Sequence, residues 1–226
     1  MQGCLKPVVL SLDVFDVWHK LTLDHQPIPF APNEPPHRDV IRIRPPAADR
    51  QNRLLPGVFD TVLFLDRPQV AGLARKFFFL LIAEARSPRL CYRANFFFYI
   101  MAGYRAGRIR TIFRLPPRLH NICSGRLAYV ELFSRFQPAD ISAHHMPTVF
   151  HDVKNGQQQA LVIPVEDVAL ACHLGPWFST LDANVQLHSR VDSLSRYRHF
   201  FLNPFYNSFL FLHLRRWQHL ATPPIT

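Results

Sequence analysis

Proline sets the first limit on what this chain can fold into. Twenty prolines punctuate its 226 residues. Each removes a backbone donor and fixes φ, so long unbroken helices are disfavoured. The stretches between them are rich in Val, Ile and Phe, residues that suit a pleated surface. The expected fold is therefore mainly β: a small antiparallel barrel or curved sheet of short strands, closed by a C-terminal helical segment. Apolar residues form 48% of the chain, enough for a packed core.

Periodicity locates the strands. Val17, His19, Leu21 and Leu23 are spaced by two within a strand expected over Val14 to Leu23. Gln26 to Arg38 carries five prolines and must be an extended loop. Asp39 to Arg44 alternates, with Ile41 and Ile43 facing one way and Arg42 and Arg44 the other. Gly57 to Asp66, Gly103 to Leu115 and Leu127 to Phe136 read as further strands. Ile109, Thr111 and Phe113 share one face of the second, and Arg108 and Arg110 share the other. His151 to Gln159 reads as a polar turn region and Ala160 to Val165 as a short buried strand. Val168 to Leu174 is a strand or a helical turn.

The C-terminus changes character. Asp192 to Leu202 looks helical, and Asn203 before Pro204 fits an N-cap followed by proline at the first helical position. Phe205, Phe209 and Leu212 then fall on one helical face, and Arg215 and Arg216 sit where cations favour a helix C-terminus. Residues 1–12 form an N-terminal arm, 13–190 the β domain, and 191–226 the helical segment and tail.

Charge points to a partner. The net charge is +10, and arginine supplies most of it, since lysine occurs only at Lys6, Lys20, Lys76 and Lys154. Arginine favours bidentate phosphate contacts and stacking on bases, so DNA or chromatin is the expected partner class. The candidate contact residues are Arg105, Arg108, Arg110 and Arg114, with Tyr104 and Phe113 interleaved. Arg42 and Arg44 extend this patch if the two strands are neighbours. Nothing resembles a recognition helix, so contact would be mainly to the phosphate backbone. The competing reading is that charged edge strands merely prevent aggregation.

Catalytic and metal chemistry find little support. Asp13, Asp16, Asp60 and Glu131 are spread over separate strands without a recognisable motif, and read as solvated or turn carboxylates. There is no nucleophile elbow and no phosphate-cradling glycine loop. His144, His145, His151, Cys172 and His173 lack the paired short spacing of a zinc site. Cys172 reads as a small core residue. Trp18, Tyr129, Phe133, Trp177, Phe201 and Phe205 read as core aromatics. No catalytic residue, metal or cofactor is expected, and no small-molecule substrate is evident. Cys4, Cys91, Cys123 and Cys172 form no C-x-x-C pair, which suits a reducing compartment. The apolar runs Phe77–Ala83 and Phe96–Ala102 are too short to span a bilayer. A soluble intracellular protein without a membrane partner is expected.

The order of these segments resembles the region that follows the catalytic core in fungal DDE-type transposases of the Plavaka and Kyakuja–Dileera–Zisupton kind. The matching pieces are Val17-Trp18-His19-Lys20-Leu21, Gly57-Val58-Phe59-Asp60-Thr61-Val62-Leu63, Tyr104 through Phe113, and Leu127 through Phe133. Val162-Ile163-Pro164-Val165, Cys172-His173-Leu174-Gly175-Pro176 and Phe200 through Tyr206 follow. The resemblance covers about three quarters of the chain. It implies a non-catalytic accessory region without its catalytic core, a nuclear location, and DNA, chromatin, a transposase core or a second copy as partner. An interaction or oligomerisation module and a decayed gene fragment are the alternatives. Val162-Ile163-Pro164-Val165, followed by Val168 and Cys172, is also similar to bromo-adjacent-homology barrels.

The family pattern has almost nothing between Ala74 and Tyr104, where this chain carries two Phe-Phe-Phe runs. Arg75-Lys76-Phe77 can be encoded by a string containing the donor-like GTAAGT, and Met101-Ala102-Gly103 by one containing the acceptor-like CAG. The segment from Arg75 to Gly103 is therefore expected to be a retained or mis-predicted intron; the alternative is a hydrophobic hairpin.

Overall fold

A computed structural model describes residues 14–27, 33–66, 103–137, 146–177 and 192–220, with only the backbone for 215–220. The expected N-terminal arm at 1–12, nearly all of the Phe-rich segment at 75–103, and His144 and His145 lie outside these residues. So do Asp13, Cys4, Cys91, and the side chains of Arg215 and Arg216.

The fold is mainly β, as the proline spacing implied, with open antiparallel sheets rather than a closed barrel. The strands are β1 (Asp16–Trp18), β2 (Lys20–Asp24), β3 (Arg38–Arg44), β4 (Ala47–Ala48), β5 (Leu54–Leu55), β6 (Val58–Phe59) and β7 (Thr61–Leu65). After them come β8 (Tyr104–Arg114), β9 (Arg126–Leu132), β10 (Thr148–Phe150), β11 (Val153–Lys154), β12 (Gln157–Gln158) and β13 (Ala160–Pro164). The chain continues through β14 (Val168–Cys172), β15 (Leu174–Pro176), the short helix α1 (Ser193–Arg196), β16 (His199–Leu202) and the helix α2 (Ser208–Leu220).

β8 is the spine. The main sheet runs β13-β9-β8-β7-β14, and β1 pairs with the far end of β8. β2, β3 and β6 make a second sheet, and β16 sits between β10 and β15 in a third. The main sheet is covered on both faces. On one face Val62, Phe64, Ile109, Ile112, Ala128 and Val130 meet Leu21, Ile41 and Ile43 of the β2–β3 hairpin. On the other, Leu63, Ala106, Leu170 and Cys172 meet Val149, Phe200 and Leu202, with Phe209, Leu210 and Leu214 of α2. This is why β7 reads as a continuous apolar run: its alternate side chains enter two different cores.

Several local expectations are corrected. Val14 to Leu23 is not one strand: it breaks at His19, so that β1 joins the main sheet and β2 joins the second. Ala160 to Val165 is buried only in part: β13 is an edge strand, so Leu161 and Val162 stand 43% and 47% exposed, while Ile163 and Val165 enter the core. Asp192 to Leu202 is helical only over Ser193–Arg196; its Phe-Phe-Leu end is the strand β16, drawn into the core. The helix that follows is capped by Asn207, whose side chain accepts from Leu210 N–H at 2.6 Å. Asn203 instead makes a local turn, accepting from Phe205 N–H at 3.0 Å. Phe205 and Tyr129 are exposed rather than core, whereas Phe133 and Phe201 are buried. In the polar region after His151, Asn155 and Gly156 take positive φ and close the β11–β12 hairpin.

Gly107 marks the tightest approach on β8. A Cβ there would lie 2.2 Å from Val130 Cγ1 and 3.0 Å from Phe64 Cε1. Gly107→Ala should therefore lower stability by roughly 1–3 kcal/mol through overpacking, read as a reduced urea midpoint at unchanged slope.

Candidate nucleic-acid interface

β3 alternates strictly. Asp39, Ile41 and Ile43 point inward, and Arg38, Val40, Arg42 and Arg44 point outward. Across the hairpin, Lys20 stands directly opposite Arg42, Thr22 opposite Val40, and Asp24 opposite Arg38. Arg38 Nε and Asp24 neutralise each other at 2.5 Å. At the other end the balance is positive. Lys20, Arg42 and Arg44 are all exposed on one face. Among the described residues Asp60 is the carboxylate paired with this group, accepting from the Arg42 backbone N–H at 2.8 Å and from Arg42 Nε at 3.4 Å. That clamp orients the Arg42 side chain and leaves it 65% exposed.

The inner face of the same strand carries a buried carboxylate, next to Arg38. Asp39 accepts from His25 Nε2 at 2.9 Å, His37 Nε2 at 2.8 Å and Ala171 N–H at 2.8 Å, with Asn207 Nδ2 at 3.5 Å. Phe209 of α2 stacks on both imidazoles. Burial pushes the Asp39 carboxyl upward, but the bonds from His25, Ala171 and His37 outweigh it and hold it below the usual carboxylate range. Asp39 thus ties together the hairpin, the edge strand β14 and the start of α2. It also occupies the outward N–H of Ala171, closing that sheet edge.

The β8 arginines are arranged differently from the expected solvent-facing row. Arg105 is nearly buried, donating from Nε to Phe133 O at 2.6 Å and pairing with Asp152 and Asp66. Arg108 is buried, with Nη2 on Asp192 at 2.8 Å and Nη1 on Ser195 Oγ at 3.1 Å. Burial pushes the Asp192 carboxyl up, but the bonds from Ser195 and Arg108 bring it below its ordinary value. Arg110 lies 4.0 Å from the Phe59 ring centroid and pairs with Glu131 at 3.4 Å. Arg114 lies over Trp18 at 5.9 Å, with its Nε buried. The physical reason is position: β8 is the central strand, covered on both faces, so Arg105 and Arg108 are drawn inside and paired with carboxylates. A register shift between Ile109 and Thr111 also sends Ile109 and Ile112, not Thr111 and Phe113, into one core. Nor are β3 and β8 neighbours in one sheet, so Arg42 and Arg44 do not extend a β8 row.

Among the described residues the other candidates do not converge. Asp60, between β6 and β7, serves Arg42, and Glu131 of β9 serves Arg110. His151 Nε2 donates to the Leu194 and Tyr197 carbonyls at 2.7 and 3.1 Å, fastening α1. His173 stacks on Tyr206, and burial lowers its pKa. Cys172 is a core residue, its thiol pushed up to about 12 by burial. Among the described residues no group of three or more His, Cys, Asp or Glu is arranged to hold a metal ion. No helix among them is long and apolar enough to cross a membrane.

Sequence reasoning passed over the Asp39 network. The signal was present, because Asp39 has the same parity as Ile41 and Ile43 and must share their buried face. Lys20 was likewise legible only once its partner across the hairpin was known. Compared with family models, with curated proteins and with solved structures, the chain finds no match.

Proposed function

We propose that this chain is a non-catalytic accessory module that contacts DNA, free or in chromatin, through the outer face of the β2–β3 hairpin. The observation that carries the reading is the cluster of Lys20, Arg42 and Arg44 on one exposed face, with like charges directly opposite each other at Lys20 and Arg42. Like-charged cross-strand pairs destabilise a hairpin, and a polyanion relieves that repulsion. A basic strand face suits a phosphate backbone and offers little to read base edges. The net charge of +10 supports the same partner class. The resemblance to transposase tails adds a transposon origin and a nuclear location to this reading.

Fluorescence anisotropy with two unrelated labelled duplexes tests it. Affinities should be nearly equal for the two, and log affinity should fall linearly with log salt. Absence of binding at low salt, or a strong preference for one duplex, would remove the proposal.

A further inference from the structure

The two edges of the main sheet are treated differently. At β14 the Asp39 carboxylate occupies the outward N–H of Ala171. At β13 no described strand or side chain takes that role. Leu132 N–H donates to Gln159 O, which fixes the phase of the β13–β9 ladder. Antiparallel ladders alternate, so Leu161 and Ile163 bond to β9, while Ala160, Val162 and Pro164 direct their backbone polar groups outward. Pro164 therefore sits where its missing N–H costs the sheet nothing. Ala160 and Val162 remain as an open pair of donors and acceptors. From Ala160 to Ile163 the strand has no charged side chain, and charge is the usual guard of an exposed edge.

We infer that β13 is a self-association edge, pairing antiparallel with β13 of a second copy of this chain about a two-fold axis at Leu161. In that register Ala160 of each copy faces Val162 of the other, and the two exchange both N–H and C=O. Every outward group between Ala160 and Val162 is then satisfied, and Pro164 falls just outside the paired stretch. The two Leu161 side chains, each 43% exposed, meet on the axis beside the inner core. On the opposite face Val162 and its cross-strand neighbour Tyr129 extend an apolar row toward Ala160 of the second copy. Charge fits the same direction: Lys154, on β11, precedes β13 by way of the β11–β12 hairpin, and Glu166 and Asp167 lie just after it. Antiparallel pairing brings the basic end of one copy alongside the acidic end of the other. A parallel partner strand would place like against like. The inference does not depend on nucleic-acid binding, and it is tested without nucleic acid.

The experiment is sedimentation equilibrium of the full chain, with two variants. Wild type should show a monomer–dimer equilibrium that stops at the dimer, as closed two-fold pairing requires. Val162→Pro removes one outward donor per copy and no internal ladder bond, so it should weaken dimerisation about tenfold or more while the circular dichroism spectrum is kept. Leu161→Cys places two thiols on the axis, in a non-hydrogen-bonded pair with Cα atoms about 4.5 Å apart. That spacing suits a disulfide, so this variant should crosslink to a covalent dimer under mild oxidation that leaves wild type uncrosslinked. A wild-type chain that stays monomeric at high concentration, a dimer indifferent to Val162→Pro, or no crosslink at Leu161→Cys would overturn the inference.

Discussion

Asp39→Ala should cost the fold about 3–5 kcal/mol, because it leaves several buried donors without their acceptor, each such loss being worth roughly 1–3 kcal/mol. Asp39 is only 4% exposed and accepts from His25, His37 and Ala171 N–H, with Asn207 at the margin of bonding distance. Alanine would leave the Ala171 N–H unsatisfied at a sheet edge, free two imidazoles, and loosen Asn207, which caps α2. Three elements distant in sequence lose their common anchor at once. Urea denaturation at neutral pH reads the loss directly, and a midpoint near that of wild type would contradict it.

The same residue predicts acid sensitivity. The folded carboxyl titrates below its ordinary value. Its contribution to stability is therefore complete above the unfolded carboxylate pKa and is lost as pH falls through the lowered folded one. Wild-type stability should decline across that acidic window, and the gap between wild type and Asp39→Asn should close with it. A gap that stays constant into acid would show that the charge of Asp39 is not what stabilises the site.

Arg108→Ala should be the second large effect, at about 2–4 kcal/mol, because it opens a hole in a packed face and strips Asp192 of its partner. Arg108 is 5% exposed, and both of its guanidinium amino groups are engaged by the α1 cap region. Asp192 itself caps α1, its side chain accepting from Ser195 N–H, so losing Arg108 also frees the helix start. Arg108→Met keeps the volume and removes the desolvation cost of a buried cation, so it should cost well under half as much. Equal losses for Ala and Met would assign the stability to the ion pair rather than to the filled space.

What the sequence disclosed follows from the range of the forces involved. β3 was legible from Asp39 onward, because alternation is a local property and Ile41, Arg42, Ile43 and Arg44 could be assigned to faces from parity alone, but its first residue Arg38 was read as loop. β8 was legible as a strand but not as the central strand. Its position depends on pairing with β7, β9 and β1, partners remote in sequence, and that position turns Arg105 and Arg108 from surface cations into internal anchors. β13 shows the converse in part, with Ile163 buried but Leu161 and Val162 exposed. An apolar run looks alike whether it sits inside a sheet or at its edge, and only the ladder decides. At the C-terminus, Asn203-Pro204 carries a genuine helix-start signal, yet tertiary packing begins the helix beyond it and pulls Phe200, Phe201 and Leu202 into a strand between β10 and β15.

The proposed function divides the arginines: Arg42 and Arg44 on β3 would meet a polyanion, whereas Arg105 and Arg108 on β8 are paired inside the fold. The most direct test measures duplex DNA binding over a salt series for wild type, Arg42→Ala/Arg44→Ala and Arg108→Met, each first verified as folded by circular dichroism. The β3 double variant should weaken binding to all sequences and reduce the magnitude of the log–log salt slope by about 2, one for each lost phosphate contact. Arg108→Met should leave the slope unchanged. The reverse pattern, with the β3 variant binding like wild type and a folded Arg108→Met variant losing its salt dependence, would contradict the account.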